Sequence, residues 1–193
     1  MIGCFFAAVI FGWSRLATQL DGSAYDWMFS RNRPVAGEPK AILLAIDEAS
    51  LIEIGGPRNL RRALAEGLER LCAAGPAVVA VDLMLSTEDE PQQDSALATA
   101  FAHCPSVVLG TDIVRDGSHW EEPIPAFRAG AASLGHVHAD PDPVSRRIPL
   151  EKAVQQKRYW ALALEAFRLM KQSGPITETP NDLELGMLRI PAA

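Results

Sequence analysis

Three short apolar runs, AILLAID (41–47), AVVAVD (77–82) and SVVLGTD (106–112), each close on an aspartate. Runs of this length, rich in Val, Ile and Leu and without polar alternation, predict strands buried on both faces, as in a parallel sheet. Between the first two, Leu60, Leu64, Leu68 and Leu71 recur at helical spacing and Gly75-Pro76 ends the pattern, so 59–74 predicts a helix. Together these segments make a strand-helix-strand unit. Ligands of such sheets gather beyond the carboxyl ends of the strands, where Asp47, Asp82 and Asp112 are expected to stand.

The pattern continues in the same style as far as Ile113. An acidic loop, TEDEP (87–91), leads into a helix at 92–102 with Leu97, Ala98 and Phe101 facing inward, and the third strand follows. Beyond it come a polar loop (115–122) and a short helical segment (126–132). Segments 134–139 and 146–154 flank the turn-rich DPDP (140–143) and predict an antiparallel hairpin at one edge of the sheet. A last helix at 159–171 presents Trp160, Ala163, Leu164, Phe167 and Met170 on one face, and Gly174-Pro175 stops it. One further strand is expected at 187–190. The fold class this implies is α/β: a three-layer sandwich with a mainly parallel central sheet and an antiparallel edge hairpin.

The N-terminus breaks from this style. MIGCFFAAVIFGWS (1–14) carries no charge, yet a transmembrane helix needs about 20 apolar residues, and no basic residues precede the run as in a signal peptide. The expectation is a membrane helix that begins upstream, with Trp13 at the interface. Leu16, Leu20, Ala24, Trp27 and Met28 extend one apolar face beyond it as a stalk helix. The domain boundaries that follow are 1–33 for the partial membrane helix and stalk and 34–193 for the globular domain.

Composition narrows the function. At 193 residues with 48% hydrophobic and 22% charged side chains, the chain can bury one ordinary core. A net charge of -6 and a pI near 5.2 leave no basic stripe to displace phosphate counterions, which argues against a nucleic-acid partner. The three cysteines show no zinc spacing and no disulfide framework, so Cys72 and Cys104 are expected as small buried apolar residues.

Candidate chemistry is sparse. A strand-end aspartate either caps the following turn through backbone amides or meets a ligand, and both readings stay open for Asp47, Asp82 and Asp112. Arg58, Arg61 and Arg146 are the cations placed to meet an anion or to pair with those carboxylates. His136, His138 and Asp140 alternate along one predicted strand, which puts them on one face as weak metal-ligand candidates or as a solvated surface. Such histidines would also sense external acidity. A hydrolase that starts from a strand-end aspartate needs Asp-x-Asp, and neither Asp47-Glu48-Ala49 nor Asp82-Leu83-Met84 supplies it. No phosphate-binding loop, nucleophile elbow or zinc-protease motif is present, and no cofactor is implied.

Taken in order, ILLAIDEAS (42–50), VVAVDL (78–83), DSALA (94–98), LGHVHADPDPVSRRIPL (134–150) and WALALEA (160–166) resemble the second class of CHASE domains. These are extracellular sensory modules associated with cyclases and histidine kinases. The resemblance covers the chain from about Asp21 to Lys171. It departs from the family pattern where aromatic residues before Arg58 are missing and where Asp142-Pro143 replaces an Asp-Gly turn. It implies a non-catalytic, ligand- or partner-sensing domain outside the cytoplasmic membrane. Such a domain works as a homodimer through its stalk and signals to a cytoplasmic cyclase or kinase effector beyond this chain. The alternative is an α/β metal-dependent hydrolase using Asp47, Asp82 and the His136, His138, Asp140 face.

Overall fold

The computed structural model describes residues 15–31, 41–139 and 148–191. The chain divides into two compact units, Met1–Ala45 and Ile46–Ala193. In the first, helix α1 (Arg15–Arg31) carries Leu20, Tyr25, Trp27, Met28 and Phe29, all more than half exposed. Tyr25 stacks on Phe29 one turn away, and the Arg31 guanidinium lies 4.7 Å from the Trp27 ring. Among the described residues no helix is long and apolar enough to cross a membrane. The apolar run 1–14 lies outside them.

The expected first strand is corrected by the structure. Residues 41–47 are irregular, with Ile42 85% and Leu43 90% exposed. A run of strand-forming residues becomes a strand only where a neighbour completes its hydrogen-bond ladder, and among the described residues none pairs with it. Asp47 instead begins helix α2 (Glu48–Glu53). A 3₁₀ turn (Pro57–Asn59) then leads into helix α3 (Leu60–Ala73), close to the predicted span.

The second unit is organised around one strand. Strand β2 (Val107–Ile113) pairs in parallel with β1 (Val79–Val81) on one side and with β4 (Ser133–His136) on the other. Where β1 has ended, the two-residue β3 (Trp120–Glu121) pairs antiparallel with β2, setting Glu121 opposite Asp112 and Trp120 opposite Ile113. Residues 107–111 of β2 are all buried, which is why its sequence shows no alternation. Against the sheet pack Ala65 and Leu68 of α3, Leu97 and Phe101 of α4 (Pro91–His103) and Phe127 of α5 (Pro125–Gly130). The rings of Phe101 and Phe127 meet edge to face at 5.6 Å.

Helices α3 and α4 are tied at both ends. At their amino ends Arg61, 8% exposed, donates from Nη1 to Asp94 Oδ1 and from Nη2 to the Thr87 carbonyl, and lies over the Phe127 ring. The second oxygen of Asp94 accepts from the Asp89 amide at 2.9 Å, so the buried carboxylate is held through both oxygens. At their carboxyl ends Cys72 and Cys104 form a disulfide across 32 residues, with Cα atoms 5.4 Å apart. This corrects the expectation of two free apolar thiols. A pairing across 32 residues has no local signature and follows only from the packing of the two helices.

The hairpin is also relocated. Among the described residues the segment around 134–136 does not pair with 148–154; it joins β2 as β4, because its Gly135 and His136 are buried in a way that a two-stranded ribbon cannot provide. Gly135 is needed there, since a Cβ at this position would lie 2.5 Å from Leu162 Cα at the start of helix α6 (Leu162–Met170). The antiparallel ribbon is β5 (Glu151–Val154) with β6 (Lys157–Trp160), turning through Gln155 at φ 55°. Because Tyr159 and Trp160 belong to β6, α6 starts later than the apolar stripe suggests. The tail forms a three-stranded meander, β7 (Thr177–Glu178), β8 (Asp182–Leu185) and β9 (Leu188–Pro191), where one strand was expected. Its Leu185 and Ile190 pack with Leu164, Phe167 and Trp160 as a second apolar cluster.

Two stability outcomes follow. Closing a 32-residue loop restricts the unfolded chain by about 3–4 kcal/mol, so reductant or Cys104→Ala is expected to lower the urea midpoint by a matching amount. Asp94→Ala strands a buried guanidinium and is expected to cost about 3 kcal/mol in the same melts. Replacing Arg61 and Asp94 together by Met and Leu is expected to cost much less, which a double-mutant cycle would show.

Candidate functional site

The carboxyl ends of the parallel strands bring together two of the predicted residues. Asp112, one residue from the end of β2, accepts a hydrogen bond at Oδ1 from the Ile113 amide and lies 2.8 Å from His138 Nδ1. His138 follows the end of β4, the neighbouring parallel strand. The pair is roughly one-third exposed, so solvent or a ligand reaches it directly. Asp82 follows the end of β1 and is exposed.

His136 is placed quite differently. Its backbone faces Thr111 of β2 and bridges to Ala161, and its ring is fully buried with the Trp120 ring at 6.2 Å. Neither ring nitrogen has a hydrogen-bond partner. Burial pushes its pKa below the ordinary value, and the charges of His138 and Lys152 push the same way against Asp112. The two histidines named as weak metal-ligand candidates are not brought together: one ring is packed against Trp120 and the other lies against Asp112, and among the described residues there is no cluster suited to a metal ion. Asp140 and Arg146 lie outside the described residues.

Beside this stands a group that sequence reading did not find. Trp120 packs edge to face on Tyr159 at 5.0 Å and donates from Nε1 to the Lys157 carbonyl at 3.0 Å. Next to it the Glu122 carboxylate accepts from Tyr159 Oη at 2.9 Å, from Arg128 Nη1 at 2.7 Å and from Lys157 Nζ. Burial pushes this carboxyl up, but the hydrogen bonds from Lys157 and Tyr159 and the charges of Lys157 and Arg128 outweigh it and hold it below its usual range. An open cleft of about 460 Å³ runs alongside, walled by Ser86, Trp120, Glu121, Glu122 and Arg128. Ser86 closes one side by donating to Glu121 at 2.5 Å. The residues of this group come from β3, α5 and β6, and only a fold that sets the ribbon against β3 gathers them. Its one sequence signal was the isolated WEE (120–122) inside an otherwise polar loop.

The remaining candidates are occupied elsewhere. Asp47 caps α2, accepting from the Ser50 amide at 2.8 Å and the Ser50 hydroxyl at 2.7 Å, and these bonds hold its carboxyl below the ordinary range. Arg61 is consumed by Asp94 and Thr87, so it is not a cation for a ligand. Arg58 is exposed on the 3₁₀ turn, where its carbonyl accepts from Gln93 Nε2 at 3.1 Å. Among the described residues the arrangement offers a His-Asp pair at the strand ends and a separate saturated carboxylate.

No curated protein and no solved structure matches the chain. The family comparison does, over residues 3–193, to the CHASE2 domain. That span takes in the parallel sheet, the strand-end Asp112 and His138, the ribbon and the terminal meander, and so the chain belongs to the CHASE2 domain family of extracellular sensory domains.

Proposed function

We propose that the chain is the extracytoplasmic sensory domain of a membrane-bound bacterial receptor. It has no catalytic task of its own and passes a conformational signal to a cytoplasmic cyclase or histidine kinase. The family match carries this reading, and the Cys72–Cys104 disulfide supports the compartment independently, because such bonds persist outside the reducing cytosol. Residues 1–33 would serve as membrane helix and stalk and 34–193 as the sensor, working as a homodimer. Buried residues along both faces of β2 favour a three-layer arrangement of the sensor.

Signal entry is assigned to the strand ends, at Asp82, Asp112 and His138. Whatever binds there, a small molecule or a partner protein, shifts the receptor only as far as its affinities for two conformations differ. The hydrolase alternative has less support, because Asp47 is spent on a helix cap and the two histidines have separate partners.

The compartment is tested in intact cells with Met187→Cys, a fully exposed position on the meander. A membrane-impermeant thiol reagent is expected to label it without lysis; labelling only after lysis would overturn the extracytoplasmic assignment. For the strand ends, a saturable rise in melting temperature with one member of a panel of amino acids, organic acids, nucleotides and sugars is expected, and Asp112→Asn should abolish it.

A further inference from the structure

The sensory reading leaves the placement of His136 unexplained. A histidine with no exposed surface and neither ring nitrogen bonded gains nothing that an apolar side chain would not supply better. The Pro149 carbonyl approaches the ring without reaching hydrogen-bond geometry. Burial disfavours the charged form of the ring, and among the described residues the charged groups that act on it are His138 from beyond β4, Lys152 from β5 and Asp112 from β2. From β3 comes the uncharged ring of Trp120, which Tyr159 of β6 packs against.

The backbone of His136 belongs to the ladder with β2, the most deeply buried strand. Its ring lies against Trp120, and Trp120 is held by Tyr159 and the Lys157 carbonyl of the β5–β6 ribbon, whose residues are exposed or only half-buried. The ribbon is tied to the β3 region by Trp120 Nε1 to the Lys157 carbonyl, Tyr159 and Lys157 to Glu122, and Gln155 Nε2 to the Ser118 carbonyl at 2.8 Å, and to the meander by Arg158 Nη1 to both oxygens of Glu178 and by Trp160 in the second apolar cluster. A two-stranded ribbon has little stability of its own and belongs to the readily opened part of a fold.

We propose that the domain is an acid-responsive switch, in which protonation of His136 is coupled to release of the β5–β6 ribbon from the sheet. This names the proton as a signal for the sensory domain and rests on that reading for its biological meaning. The direction follows from linkage. Above about pH 6.5 the ring is neutral in both states and the closed form suffers no penalty; as the pH falls below that, the opened ring takes up a proton that the closed one refuses. Opening is therefore favoured by up to about tenfold per pH unit, until the closed ring itself becomes protonated. A domain held outside the cytoplasm meets this range of acidity directly.

The test uses the 193-residue chain, with amide hydrogen exchange and histidine Cε1 proton titration by NMR between pH 7.5 and 5. Expected are a ring titration for His136 below that of an exposed histidine, and exchange at Lys157 and Tyr159 that, corrected for intrinsic chemistry, rises several-fold towards pH 5.5 while Val107 to Leu109 stay protected. His136→Phe should remove the rise and His138→Leu should keep it. If His136→Phe does not fold, the wild-type titration and exchange decide alone. An unshifted His136 titration, loss of protection in β2 together with β6, or a response that follows His138 instead would each overturn the switch. Any of these leaves the sensory reading intact, whereas cytoplasmic labelling at position 187 would remove that reading without altering the titration.

Discussion

Everything in the globular unit depends on the burial of strand β2 on both faces. A strand with no solvated side must have its backbone groups satisfied by neighbours, and β2 recruits three: β1 and β4 along its length and β3 at its carboxyl end. Each recruitment has a price elsewhere in the chain. Helix α3 leads into β1 and helix α4 carries the chain from β1 to β2, so two helices are laid against the sheet and must be fixed to one another. Arg61 with Asp94 and Cys72 with Cys104 do this at opposite ends. The pairing with β4 draws in Gly135, whose missing side chain admits the backbone at Leu162.

The parts of the fold written in local pattern were legible. Helices α3 and α4 and strands β1 and β2 stand close to where leucine spacing and continuous Val runs put them, because burial and periodicity act over a few residues. The misreadings share another cause. AILLAID has the composition of a buried strand, but strand formation is a property of two segments, and composition describes only one. LGHVHAD and its turn-rich sequel have the look of a hairpin, yet a buried parallel neighbour for β2 competes for the same residues. Tyr159 and Trp160 fit the helical stripe of 159–171 and also the alternation of β6, and only the partner strand decides between them.

At the site the same distinction holds. That Asp82 and Asp112 would stand at strand ends was legible, and Asp112 does so beside His138, whereas the run before Asp47 forms no strand. What each aspartate does was not, since Asp47 capping α2 and Asp112 meeting a histidine differ only in which side chain arrives from elsewhere. The alternation of His136 and His138 suggested a shared face, but the first sits in the ladder under Trp120 and the second lies past its end. The Glu122 group joins residues up to 37 positions apart through the ribbon, and no spacing announces it. The family resemblance was carried by the order of the motifs, which survives the loss of any one of them.

The disulfide also bears on how the molecule is made. With three cysteines in the chain, three pairings can be drawn, and only Cys72 with Cys104 joins the two helices. Oxidation before α3 and α4 have docked would let Cys4 compete by thiol exchange for either partner. Docking of α3 on α4, which brings Cys72 to Cys104, would therefore act as the proofreading step in oxidative folding that selects the native bond.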